Sequence, residues 1–490
     1  MSSRNALIAG AVCAALLAGC AVGPNYRAPG SSTLGVPDAY ANAPAVAPVE
    51  DISQWWRRFD DPLLTDLVAR ATASNLSIAE SAARLVPARG SRIKAAASQL
   101  PSVTGSEGAT RNLDRGSSSL VVGSGSSGSG GSVITTSGSD STQLSLGLDA
   151  SWQTDIFGGL RRTVEASRAA EASSRFDLEA VRTSVAGEVA TNYLNARLAQ
   201  ARLGIARDTL RTQDDNLQIA GWRVQAGLVS SLDVEQARVQ RAQTAASIPL
   251  LQTGFVNAVN RLGILTGQAP GALRGEMAAA APIPKGPDKV AVGIPADTLR
   301  QRPDVRSAER QLAAATARIG VAKAQLYPAL AITGNMNTAA AAVGDLGDLL
   351  TGAVFAGITQ TIFDAGRNRS NVRSASAGAD LAFATYKRTV LSGLEEVENA
   401  IQAIDSARAR QVELAVALDA ATNAATYARS QYQAGLTDFL TLLQSEQSLL
   451  SARDALASAY ADQSLALVRL YLALGGGWTP EGQTQTRPNR

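Results

Sequence analysis

Thr142-Gln143-Leu144-Ser145-Leu146-Gly147-Leu148-Asp149-Ala150-Ser151-Trp152-Gln153-Thr154 decides how the rest of the chain is read. Leu144, Leu146, Leu148, Ala150 and Trp152 fall on one face of an extended chain, and Gln143, Ser145, Asp149 and Gln153 on the other. A period of two suits a membrane β-strand with lipid on one side and water on the other. It equally suits the edge of a soluble amphipathic sheet, which is the better reading of this segment alone. A partner strand near 101–112 is less clear, and 329–337 and 352–363 are two further candidates. Four strands cannot close a barrel, and open edges are not tolerated in lipid. If these strands span a membrane, the barrel is shared among chains.

Self-comparison shows why strands occur in two places. Arg92-Ile93 and Gln99-Leu100-Pro101 recur as Arg318-Ile319 and Gln325-Leu326-Tyr327-Pro328; Ile156-Phe157 and Arg161 recur as Ile362-Phe363 and Arg367. Ala226-Gly227-Leu228 returns as Ala434-Gly435-Leu436, and Leu262 to Gly267 is echoed by Leu472 to Gly477. One unit is written twice, over 65–267 and 297–475, around a proline-marked linker at 268–296. Each copy predicts helix, strand, loop, strand, long helix, turn and helix. The first helix, 65–99, stops at Pro101. The long helices, 161–226 and 367–434, space apolar residues as coiled coils do, and at 1.5 Å per residue each would reach about 90 to 100 Å. They turn at Gly227 and Gly435 and return over 231–265 and 442–474. The Gly/Ser segment 116–140 predicts a flexible loop. Gly475-Gly476-Gly477 follows a helix and predicts a helix stop.

Composition removes most chemistry. Among 490 residues there is no histidine, and the two cysteines are Cys13 and Cys20. Imidazole bases, histidine metal sites, cysteine nucleophiles in the body and disulfide frameworks are excluded. With 45 basic and 42 acidic side chains, the net charge of +3 is too balanced for a general nucleic-acid binder. Glu395, Glu396 and Glu398 could suggest paired catalytic carboxylates, but on a long helix they read better as a solvated or tunnel-facing edge. Arg302-Pro303-Asp304 reads as a helix start.

Residues 1–19 have the charged, apolar and small-residue regions of a signal peptide, with Arg4 at its start. Leu17-Ala18-Gly19-Cys20 resembles the lipobox of bacterial lipoproteins, which would make Cys20 the acylated first residue of the mature chain; Ala21 after it then favours the outer membrane. Prolines at 24, 29, 37, 44 and 48 predict a non-helical, extended arm over 20–64, pinned at its end by Trp55, Trp56 and Phe59.

These features together resemble the outer membrane factors of bacterial efflux and type I secretion, the TolC type, and within it the NodT-like lipoprotein branch. The resemblance rests on Cys20-Ala21-Val22-Gly23-Pro24-Asn25-Tyr26, Trp55-Trp56, Asp61-Pro62-Leu63, Asp155-Ile156-Phe157-Gly158 and Arg302-Pro303-Asp304-Val305. Ile319 to Ala324 with Tyr327-Pro328, Ile362 to Arg367, Glu395 to Glu398 and Leu474 to Trp478 extend it through residue 478, before the tail 476–490 ends. It implies an α+β membrane protein: a homotrimer whose strands form a twelve-stranded outer membrane β-barrel, continued by a long periplasmic α-helical barrel. It implies no catalytic site, no metal and no cofactor beyond N-acyl and S-diacylglycerol lipid on Cys20. The implied partners are outer membrane lipid, a periplasmic adaptor and an inner-membrane transporter, proton-driven and of the RND type, with no nucleic acid. The implied role is the exit duct of a tripartite efflux pump; protein export by a type I system, metal-ion efflux and a pore-free coiled-coil spacer are the alternatives. By the same resemblance the helix turns close the periplasmic aperture, with Arg223, Asp233, Tyr432 and Asp438 as candidates beside the turn glycines Gly227 and Gly435. Here the chain departs from the pattern: Thr437, Thr441 or Gln444 occupy positions where relatives carry tip aspartates, and Gln301 and Gln153 replace an expected Arg and Glu.

Overall fold

In the computed structural model, the described residues are 21–41, 51–113, 118–120, 134–136, 141–287, 290, 295–346 and 348–479. The signal segment 1–19, Cys20, Pro44, Pro48, most of the 116–140 loop and the tail from 480 lie outside them. In chain order the main described elements are α1 (Pro62–Ser74), α2 (Leu76–Ala97), β1 (Ser102–Asn112), β2 (Ser118–Leu120) and β3 (Ile134–Thr136). Then come β4 (Ser141–Thr154), α3 (Gly159–Gln225), α4 (Ser231–Leu265) and α5 (Pro303–Ala324). The series closes with β5 (Ala329–Ala340), β6 (Leu350–Thr359), α6 (Arg367–Gln433) and α7 (Phe439–Ala473). Two compact units divide them, one holding residues up to Tyr26 with Arg89–Ala169 and Ala313–Asp380, the other holding the remainder.

The first unit is built on an antiparallel sheet in the order β1-β4-β5-β6. The alternating segment is β4, at the centre: it pairs with β1 from Ser102↔Ser151 to Asn112↔Ser141, and with β5 from Thr154↔Leu330 to Leu144↔Ala340. β5 pairs in turn with β6, from Ala329↔Thr359 to Thr338↔Leu350. The last strand stops short of the expected 363. Asp364 turns back to accept hydrogen bonds from Gly366 N (2.9 Å) and Asn368 N (2.8 Å), capping α6 and pulling Ile362-Phe363 out of the ladder. In the loop that reads as flexible, Ser118–Leu120 pairs with Ile134–Thr136. Leu120, Ile134 and the adjacent threonines have the strand preference that the Gly/Ser run between them lacks.

The second unit is helical. The two long helices are both 67 residues, and the two returning helices both 35, so the copies match turn for turn. Each long helix ends on a left-handed glycine, φ 68° at Gly227 and 71° at Gly435, whose conformation a side chain would strain. Leu228 N then bonds Arg223 O and Leu436 N bonds Gln431 O, closing both ends in the same way. The expected single helix 65–99 is instead α1 and α2. Asn75 splits them: its Nδ2 donates to Leu265 O (2.9 Å), while its Oδ1 accepts from Ser77 N and Ile78 N and caps the second helix. A proline-rich arm also does not exclude helix, since one turn forms at Ser31–Leu34 and ends on Gly35 at φ 78°.

Large side chains are few, and they gather. Trp55 is fully buried, stacked on Tyr471 with centroids 5.5 Å apart, and edge-on to Trp56 and Phe59. The glycine run after α7 stops that helix and also lets the chain through: a Cβ on Gly476 would lie 2.9 Å from Ile52 O, and Gly477 N bonds Ile52 O at 3.1 Å. Asp61 caps α1 through Leu64 N and accepts from Tyr193 OH at 2.7 Å, and Arg197 donates to the same phenol. Burial, then the Asp61 carboxylate, hold the Tyr193 phenol well above its ordinary pKa.

Arg302 is more than part of a helix start. It is 7% exposed and donates to Asp304, to Glu396 Oε2 (2.7 Å) and to Ala473 O (2.9 Å). Burial alone would lower its pKa, but the two carboxylates outweigh that and hold it above the ordinary value. The glutamate cluster, read as a solvated or tunnel-facing edge, is exposed at Glu395 and Glu396, and it also has partners: Glu396 anchors Arg302, and Glu398 Oε1 accepts from Ala41 N. Truncating one member of a buried ion network costs up to about 3–5 kcal/mol. The Asp304 and Glu396 side chains are 40% and 53% exposed and can rehydrate, so about 2–3 kcal/mol is expected here. Arg302→Ala should therefore lower the melting temperature clearly in a detergent thermal scan, while Arg408→Ala, which removes a long pair to exposed Asp405, should leave it nearly unchanged.

Candidate functional site

Residues directly opposite in a ladder share a face. The register therefore extends the β4 pattern across the sheet. One face carries Leu144, Leu146, Leu148 and Trp152 of β4, Leu330, Ile332 and Met336 of β5, and Leu350, Val354 and Ile358 of β6. The other carries Gln143, Ser145, Asp149 and Gln153 with Thr333, Asn335 and Asn337. β1 is the weak member, with Glu107 and Arg111 among its Val103 and Ala109, which is why its sequence alternates poorly. Among the described residues no helix is long and apolar enough to cross a membrane. The apolar sheet face is the surface with the right chemistry for lipid, and the polar face for a water-filled lumen.

The turn residues separate into two groups. Arg223 and Tyr432 come together: the guanidinium donates to Tyr432 O at 2.9 Å and lies 4.5 Å over its ring, which in turn packs on Phe439. Tyr432 is 3% exposed, in a small core with Ala220, Ala237, Leu442 and Leu443. The two aspartates sit apart from this pair. Ser230, not Asp233, caps α4, and Asp233 lies in its first turn. Asp438 caps α7 by accepting from Thr441 N at 2.8 Å. Within the chain Arg223 thus binds an aromatic carbonyl and ring rather than a carboxylate. A residue that sequence reasoning missed lies between the same helices: Glu446, 6% exposed, accepts from Asn216 Nδ2 (2.6 Å) and Arg429 (2.8 Å). Only its apolar neighbours at coiled-coil spacing hint that position 446 is internal.

A third feature holds the start of the arm. Val22 N donates to Phe157 O at 3.0 Å, and buried Arg162 donates to Val22 O, Gly23 O and Asn25 Oδ1. Gly23, at φ 99°, passes so close to Gly320 that a Cβ would stand 2.5 Å from the Gly320 Cα, and a Cβ on Gly158 would strike Ala21 Cα at 2.7 Å. Two facing glycines and an arginine make a slot that fixes the chain immediately after Cys20.

The outer membrane efflux protein family model matches residues 67–268 and again 294–476. The chain is 31% identical over 479 residues to nodulation protein T of Rhizobium leguminosarum bv. viciae, covering 96% of this chain and 93% of that protein. It is 30% identical to the pyoverdine export outer membrane protein OpmQ of Pseudomonas aeruginosa, covering 96% and 97%. Among solved structures, that of the outer-membrane channel OprN superposes with a TM-score of 0.82 at 34% identity, over 94% of this chain and 100% of that one.

The Thr441 hydroxyl and backbone N–H hold Asp438 below the ordinary aspartate value of 3.8. A carboxyl with a depressed folded pKa contributes stability above its unfolded pKa and loses it as pH falls through the folded value. Amide protection at the start of α7 should therefore persist at neutral pH and fall below about pH 4. Asparagine caps without charge, so Asp438→Asn should keep the protection and abolish its pH dependence, as read by hydrogen exchange.

Proposed function

The chain belongs to the outer membrane efflux protein family, and from that premise we propose that it is the passive exit duct of a tripartite efflux pump. Three copies supply four strands each to a twelve-stranded outer membrane barrel, and their helices form a periplasmic barrel that meets a periplasmic adaptor and an inner-membrane transporter. Like the family's other ducts, it conducts cargo and catalyses nothing. The carrying observation is a sheet whose two central strands, β4 and β5, are largely apolar on one face and polar on the other, and whose edge strands β1 and β6 have no further strand beside them among the described residues. Such a sheet is stable in lipid only when closed by further copies. The cargo is small molecules, drugs among them.

Cys20 is the lipid anchor. Its neighbour Ala21 lies against Gly158, where β4 gives way to α3, so the arm that the lipid would precede is held beside the end of the strand. Multiple acyl chains give stable anchoring where one is marginal. Labelled fatty acid should enter the wild type and be absent from Cys20→Ser, which should stay partly in the membrane through its barrel; label retained in the variant overturns the assignment.

The helix turns form the periplasmic aperture. Arg223 and Tyr432 brace the turn, and Asp233 and Asp438, bound to neither, present charge. Like charges gathered by threefold symmetry attract cations. In planar bilayers the purified protein should form an ion-conducting pore, and Asp233→Asn with Asp438→Asn should lower its cation selectivity and its block by multivalent cations without loss of the trimer. A protein that is monomeric and non-conducting overturns the duct. A conducting trimer with unchanged selectivity leaves the duct in place and makes the two aspartates structural.

A further inference from the structure

Ile362 and Phe363 are 97% and 87% exposed, the barest large apolar pair in the described chain. Their repeat counterparts are covered. Ile156 and Phe157 are half-buried, and Phe157 stacks on Tyr327 with centroids 4.8 Å apart and planes 20° from parallel. That contact continues the β4·β5 register: three residues beyond Thr154↔Leu330 on each strand, Phe157 stands opposite Tyr327. A residue at the end of a copy's second strand thus seats on the turn that opens the next copy's first strand. Among the described residues Phe363 has no such seat, because β6 is an edge. The other edge is β1, and the turn before it, Gln99-Leu100-Pro101, is the counterpart of Gln325-Leu326-Tyr327-Pro328. Leu100 is itself 68% exposed.

Resting on the trimeric reading above, we infer that Phe363 seats on Leu100 of a second copy of this chain, and that β6 pairs antiparallel with that copy's β1 in the register this contact sets: Thr359 opposite Thr104 and Leu350 opposite Leu113. Side-chain alternation supports the same register independently. It places Ile358, Val354 and Leu350 opposite Gly105, Ala109 and Leu113 on the face of the β4 leucines, leaves the small Ala356 and Gly352 opposite Glu107 and Arg111 of that face, and sets the bulky Phe355 opposite Gly108. A one-residue slip would put Ile358 and Val354 opposite Ser106 and Thr110, joining the apolar face to the polar one. A two-residue slip keeps the faces but leaves Phe363 opposite Ser98 or Ser102. One register satisfies both the seat and the faces.

Membranes carrying Phe363→Cys with Leu100→Cys should give covalent dimers and trimers on denaturing gels after treatment with a short bismaleimide. Each single variant should stay monomeric, and Phe157→Cys with Tyr327→Cys, the same contact inside one chain, should cross-link without gain of mass. Thr359→Cys with Thr104→Cys should oxidise to covalent oligomers in preference to Thr359→Cys with Ser102→Cys. Because a packed interface excludes water, the Phe363→Cys thiol should react with a water-soluble maleimide at least about tenfold more slowly in the trimer than after dissociation. A trimer on native gels that gives no inter-chain product from the 363 and 100 pair, or equal maleimide rates in the two states, overturns the seat and leaves the trimer standing. A preference for the Ser102 pair overturns the register. A native monomer overturns the trimeric reading itself.

Discussion

Among the described residues no strand lies beside the outward N–H and C=O groups of β1 and β6, because the sheet order β1-β4-β5-β6 leaves both at an edge. In water such edges are a liability; in hydrocarbon each unsatisfied group costs several kcal/mol, on the order of a lost hydrogen bond per residue. Adding copies is the only remedy for a chain that has four spanning strands and no apolar helix long enough to cross among its described residues. The doubling of the sequence follows the same need. Each copy supplies two strands, the β4·β5 pairing joins copy to copy inside one chain, and an equivalent pairing between chains completes the ring. The Phe157–Tyr327 stack shows how such a junction is finished at the strand ends.

The helical unit meets its own constraint by different means. Ala-rich helices bring backbones close but offer little apolar area per residue, so polar side chains do much of the specifying. Arg302 ties a helix start to Glu396 and Ala473 O; Arg197 and Asp61 share the Tyr193 hydroxyl; Glu446 binds Asn216 and Arg429. Buried ionic groups of this kind are costly unless every partner is present. They therefore tolerate only one relative placement of the elements that carry them, which apolar contacts among alanines would not enforce.

The slot around Gly23 holds the start of the arm against the body of the protein. Gly23, Gly158 and Gly320 remove the side chains that would block the arm, and Arg162 gathers three of its oxygen atoms. The lipid proposed on Cys20 would then join the chain next to Ala21, which lies against Gly158, rather than a loose tether.

Much of this was legible in the sequence because it is periodic or punctuated. The alternation at 142–154, the recurring Gln-Leu-Pro, Ile-Phe and Ala-Gly-Leu steps and the proline-free helical runs placed the four strands, the long helices and both glycine turns within a few residues. The absence of histidine and of cysteine beyond residue 20 limited the chemistry. What the sequence left open concerned partners. It ran α1 and α2 together through Asn75, carried the last strand through Phe363, and named no partner for Glu396 or Arg223. Periodicity and turn chemistry are properties of single elements, visible in neighbouring residues. Whether Arg302 finds Glu396, or Arg223 finds Tyr432, depends on which segments far apart in the chain are brought within hydrogen-bond reach, and that only the tertiary structure decided.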